Sequence, residues 1–125
     1  MMYNVSRSGV SMSVMKDRLF VTIQGDLVQE TLSVLRTDLL ERTQVDRINA
    51  VIFDLSAVAV LDLTEFNMLH QTVLMIKLMG AETIFIGLNP GIVAFLVLAG
   101  ADLSGMNTAS DLDDVDRILT KLKNH

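Results

Sequence analysis

The segment Ala50-Val51-Ile52-Phe53-Asp54-Leu55 limits the fold more than any other part of the chain. It is too short for a helix that stands alone, and it is apolar at both odd and even positions. Successive side chains of a strand point to opposite faces, so a strand with this composition buries both. Such strands belong in the middle of a covered, parallel sheet, because one face of an open antiparallel sheet meets water. A parallel neighbour needs a crossover, and the sequence supplies one. Asp62 to Met79 reads as a helix, and Glu82 to Leu88, with Thr83-Ile84-Phe85-Ile86 inside it, reads as a second buried strand. A strand–helix–strand unit of this kind closes with a right-handed crossover.

The flanking segments extend that unit. Val10, Met12 and Val14 alternate with Ser11 and Ser13, and Leu19, Val21 and Ile23 alternate again up to Gly25-Asp26. With Lys16-Asp17-Arg18 as the turn, these two strands form a hairpin with one buried face. Val28, Leu32, Leu35 and Leu39 recur at helical spacing, which predicts an amphipathic helix over Val28 to Gln44. Asn89-Pro90-Gly91 ends the second buried strand, and Pro90 suits a turn or a first helical position. Ile92 to Ala99 then reads as a short helix stopped by Gly100. Met106 is placed in a short edge strand. Ser110 or Asp111 caps a last helix that carries Leu112, Val115, Leu119 and Leu122. The whole chain, 1–125, is expected to be one α/β domain: a mixed four- to five-stranded sheet with four α-helices packed against it.

Composition narrows what such a domain can do. A formal net charge of -5 gives no electrostatic footprint for nucleic acid or an anionic membrane. With no cysteine, thiol catalysis, disulfides and thiolate zinc sites are excluded. Met1 to Val10 holds no signal-peptide run, and Ile92 to Ala101 is about half a bilayer span. The chain is therefore read as soluble and cytoplasmic, without a membrane span. Half of it is apolar, yet only 5% is aromatic and 8 residues are methionine. Surplus apolar surface on a small domain marks an interface, and methionine suits interfaces that adapt.

Catalytic constellations are missing from the pattern. Ser56 lacks the Gly-x-Ser-x-Gly elbow of a serine hydrolase. Gly87 to Gly91 lacks a phosphate-loop lysine. His70 and His125 stand at no metal-ligand spacing, and His70 is read as a surface or interface side chain. Asp54, at a strand end, is expected to be half-buried and to bond loop amides. No cofactor or metal is expected. In the helix after Asp62, Phe66, Leu69, Val73 and Ile76 form one apolar stripe, and Met68, Met75 and Met79 form another, rotated about the axis. The second stripe either extends the core or forms a docking face. Ile92, Val93, Phe95, Leu96 and Val97 are apolar most of the way round the third helix, which full burial or subunit packing would each explain.

The stretch Asp54-Leu55-Ser56-Ala57-Val58-Ala59-Val60-Leu61-Asp62-Leu63-Thr64-Glu65 resembles the STAS family of anti-sigma-factor antagonists and stressosome proteins. The likeness continues through Leu78-Met79-Gly80-Ala81-Glu82-Thr83, Gly87-Leu88-Asn89-Pro90 and Leu98-Ala99-Gly100-Ala101-Asp102-Leu103. It implies a STAS fold and a non-enzymatic partner-switching or scaffold role. The implied partners are a serine/threonine switch kinase or an anti-sigma factor, with self-association or assembly among related domains. The partner contacts it implies are Asp62, Leu63, Thr64, Met68, Asn89 and Phe95. In the family a Ser or Thr at the helix start is phosphorylated. Leu63 stands at that position here, and Phe95 stands at the second acceptor position of stressosome relatives. Thr64, one place later, is then the candidate phosphoacceptor; otherwise Asp62 and Thr64 simply cap the helix, with Glu65 at capping-box spacing. A STAS-type regulatory subunit of a transport system and a small-ligand-binding α/β domain are the alternative readings.

Overall fold

The computed structural model describes residues 3–7, 9–25 and 27–124; Asp26 and His125 lie outside them. Its elements run β1 Tyr3–Arg7, β2 Val10–Met15, β3 Arg18–Gln24, α1 Gln29–Val45, β4 Ala50–Ala57, α2 Leu63–Leu78, β5 Glu82–Ile86, α3 Pro90–Leu98, β6 Asn107–Ala109 and α4 Leu112–Lys123. The six strands form one sheet in the order β1-β2-β3-β4-β5-β6. β1, β2 and β3 pair antiparallel, while β3, β4, β5 and β6 pair parallel. The α/β class, the mixed sheet and the four helices agree with the sequence reading. The strand count rises by one, because Tyr3-Asn4-Val5-Ser6-Arg7 has too few apolar positions to announce itself.

The apolar-both-faces pattern of β4 is fulfilled. Val51, Phe53 and Leu55 face a core shared with Leu32, Leu35 and Leu39 of α1, Phe66, Leu69, Val73 and Ile76 of α2, and Ile92 and Leu96 of α3. Ala50 and Ile52 face the other way, into a smaller core with Ile84, Ile86 and Val115 of α4. Three helices thus cover one face and α4 covers part of the other. Phe53 and Phe85 stack across the central strand pair, with ring centroids 5.0 Å apart. Burying one such side chain contributes about 1.5–3 kcal/mol. Arg36 of α1 clamps the larger layer: its Nε donates to Thr72 Oγ1 at 2.8 Å, and its Nη2 donates to the Met68 carbonyl at 2.7 Å. This fixes α1 against the middle of α2.

Candidate docking corner at the exit of the central strands

Parallel strands deliver their carboxyl ends to one edge of the sheet, and the loops there are where such folds place recognition chemistry. At the exit of β4, half-buried Asp54 accepts from the Ser56 backbone N–H at 3.0 Å and from the Ser56 hydroxyl at 2.5 Å. The last residues of the strand are therefore braced by a side-chain bond; Asp54 is half-buried as its sequence led us to expect, but it bonds an amide of the strand itself and not one of the loop. Val58 and Leu61 are buried and anchor the loop, leaving Val60 between them 65% exposed.

The next strand exit is pressed against the first. Gly87 follows β5 with φ +71°, a conformation that side chains other than glycine resist. A Cβ at Gly87 would lie 2.0 Å from Ser56 Oγ and 3.0 Å from Ser56 Cα. Glycine is needed here twice over, for its backbone angle and for the close approach.

α2 begins at this corner. Asp62 is its N-cap, extended at φ -85° and ψ 174°, and its carboxylate accepts from the Glu65 N–H at 3.1 Å. This satisfies one of the orphan amides of the first turn. The reciprocal arm of a capping box is absent: Glu65 Oε2 is buried with no hydrogen-bond partner. Leu63 is half-buried and Thr64 is exposed, in the turn where backbone amides and the helix dipole favour negative charge. Met68, one turn on, packs partly against the main core. Asn89 caps α3, its Oδ1 accepting from the Gly91 N–H at 2.7 Å, with Pro90 in the first turn. Its side-chain carbonyl is thus committed to the helix start. Phe95 is 47% exposed on α3. Asp62, Leu63, Thr64 and Met68 accordingly follow the exit of β4, while Asn89 and Phe95 follow the exit of the adjacent β5.

The third helix is not fully buried within this chain. Only Ile92 and Leu96 are buried, while Val93, Phe95, Val97 and Leu98 are exposed. The nine-residue helix carries no charged side chain, so an uncharged apolar face stands in solvent beside the corner. Nor is the methionine stripe of α2 a simple extension of the core. Met68 joins the core, but Met75 and Met79 are 37% and 40% exposed.

His70 corrects the sequence reading. It is buried, its Nε2 lies 2.7 Å from the Ser104 carbonyl, and its ring stacks on Phe66. It ties α2 to the segment before β6, a bond between residues far apart in sequence that no local pattern announces. The Arg36 clamp and the Ser56–Gly87 contact escaped for the same reason. Among the described residues, no cluster of three or more His, Asp or Glu could hold a metal ion. No described helix is long and apolar enough to cross a membrane.

Comparison with known proteins places this geometry in context. The family model for the STAS domain matches residues 10–115. A comparison with curated protein sequences gave no match. Among solved structures, the chain is similar to a serine-to-glutamate variant of RsbS from Moorella thermoacetica, at 24% identity and a TM-score of 0.77, covering 94% of this chain and 100% of that one. It is similar to a chain of the stressosome, described as a signal integration and transduction hub, at 24% identity and a TM-score of 0.71, covering 91% and 99%. It is also similar to the phosphorylated form of SpoIIAA, a Bacillus cell fate determinant, at 12% identity and a TM-score of 0.62, covering 94% and 99%. At these identities the likeness is one of fold.

Proposed function

The chain belongs to the STAS domain family, and on that footing we propose that it is a non-enzymatic partner-switching or scaffold protein of the anti-sigma-factor antagonist and stressosome type. Its partner is a serine/threonine switch kinase or an anti-sigma factor, met in the cytoplasm. One observation carries this reading. The start of α2, with exposed Thr64, lies at the same sheet edge as a helix whose outer face is apolar and uncharged. An exposed apolar face rimmed by polar groups suits a polypeptide partner, and a nearby charge can veto it.

Thr64 is the modification point in this proposal. In the first turn of α2, a phosphate meets free backbone N–H groups and the positive end of the helix dipole. It adds about 1.5–2 negative charges. Docking of an apolar partner then carries the desolvation of that charge. Leu63 supplies apolar contact where relatives carry a hydroxyl. SpoIIAA, similar in fold, has been seen in a phosphorylated form, which supports modification as the mode of control.

The test is co-purification from native lysate, with partners identified by mass spectrometry, comparing wild type with Thr64→Glu and Phe95→Asp. The expected result is recovery of a kinase-like or anti-sigma protein by wild type and its loss with both variants. A kinase recovered in this way should label wild type and leave Thr64→Val unlabelled. Associations that survive both charge insertions, or turnover of a substrate by the purified protein, would overturn the proposal.

A further inference from the structure

The two ends of the parallel strands carry opposite charge, and each end leaves apolar side chains in solvent. The loops that leave β3, β4, β5 and β6 contain no lysine or arginine. Glu30, Asp62, Asp111 and Asp113 stand exposed at this carboxyl edge, and among the described residues none of them is in an ion pair. Arg7, at the end of β1, is a cation that the strand register places at the far corner of the edge. Val28, Val60 and Leu112 are exposed beside the carboxylates.

The amino edge has the opposite sense. Lys16 lies in the turn before β3, Arg47 in the loop before β4, and Lys121 and Lys123 in the last turn of α4. All four are exposed, and Lys123 borders a cleft that Asp17 and Asn49 also line. The acids of this edge are engaged within the chain: Asp17 accepts from Asn49, Asp46 pairs with Arg42, and Glu82 pairs with Lys77. Met15, Val45 and Leu78 are its exposed apolar side chains, Leu78 at 89%.

Helix dipoles favour acids at helix starts and bases at helix ends, which accounts for part of the charge. They give no reason to leave valine, leucine and methionine in water beside it. An apolar residue flanked by charge suits a surface of opposite charge with apolar residues of its own. The other end of this same chain is such a surface. Two carboxyl edges would repel each other, as would two amino edges, so opposite edges must meet.

We propose that copies of this chain stack head to tail, the amino edge of one seated on the carboxyl edge of the next. The contact joins two different surfaces and leaves one of each unfilled, so it builds rings or open stacks and not a closed pair. It stands apart from the partner-switching reading, because it needs neither a kinase nor modification of Thr64.

The experiment is sedimentation velocity of the full chain from micromolar to millimolar concentration, at low and at high salt. Wild type is expected to grow past the dimer with concentration at low salt and to return toward the monomer at high salt, where screening shortens the reach of the charges. Two variants reverse one edge each: Glu30→Lys with Asp113→Lys, and Lys16→Glu with Lys121→Glu. Each alone is expected to associate about tenfold more weakly than wild type. Mixed in equal amounts they should associate as wild type does, because each edge then meets one of opposite charge, and this recovery also shows that both variants fold. A wild type that stays monomeric at every concentration would overturn the proposal. So would a closed dimer, association that salt leaves unchanged, or a mixture that gains nothing over its parts.

Discussion

Gly87 and Asp62 act through different physics, and substitution separates them. At Gly87 a methyl group meets Ser56 Oγ at 2.0 Å while the backbone holds φ +71°, so Gly87→Ala combines a clash with strain. We expect a loss above about 2 kcal/mol in urea unfolding. Ser56→Gly in the same chain removes the hydroxyl that makes the worst contact and leaves the tight approach to its Cα and the strain, so the double variant should recover part of that loss. Independent, additive effects would show that the two strand exits are not in contact. Asp62→Ala removes only a cap and should cost about 1 kcal/mol, whereas Asp62→Asn keeps the acceptor and should stay near wild type. The sequence made the cap legible, because a cap and its amide lie three positions apart. The Ser56–Gly87 contact was illegible, because sheet closure brings those residues together.

Among the elements, α3 shows best where patterning fails. A helix that is apolar all round has no preferred face in its sequence, so Pro90-Gly91-Ile92-Val93-Ala94-Phe95-Leu96-Val97-Leu98 left burial and exposure open. The fold resolves the choice by pressing Ile92 and Leu96 onto the main core and leaving Val93, Phe95, Val97 and Leu98 outside. The prediction is a sharp split within one helix. Leu96→Ala should destabilise by about 2–5 kcal/mol, as a buried leucine does. Phe95→Ser and Val97→Ser should stay within about 0.5 kcal/mol of wild type, as exposed changes do, while weakening partner recovery. Guanidinium unfolding of the three variants checks the energetic half. Equal losses at Leu96 and Phe95 would mean that both faces are buried. His70 carries the same lesson in reverse: a polar residue beside an apolar stripe reads as surface until a distant carbonyl, that of Ser104, gives it a reason to be inside.

Across the whole molecule, the legible part was the part written in runs of apolar residues. β4 and β5 announced a covered parallel sheet because both faces had to be buried, and the structure fills them with separate cores. What ties the opposite, amino edge of the sheet is polar and non-local. Asn49 donates its backbone N–H to the Asp17 carbonyl at 2.7 Å and its side-chain amide to the Asp17 carboxylate at 2.8 Å. The Asn49 carbonyl in turn accepts from the Glu82 N–H at 3.0 Å. One asparagine therefore links the turn before β3 to the starts of β4 and β5. The Asn49 hydrogen bond holds the Asp17 carboxyl below the usual carboxylate range. A depressed folded-state pKa means that the folded protein binds this proton less readily than the unfolded chain does. The resulting stabilisation is present above the unfolded value and is lost as pH falls through the lower folded one. Asn49→Ala should therefore destabilise the protein at pH 7, and its deficit against wild type should shrink as the pH drops below about 4. Unfolding midpoints measured at both pH values check this, and a deficit that stays constant or grows in acid would show that the Asn49–Asp17 bond does not favour the ionised carboxylate. Because this edge lies at the other end of the strands from the docking corner, partner binding by the folded variant at pH 7 should be unchanged.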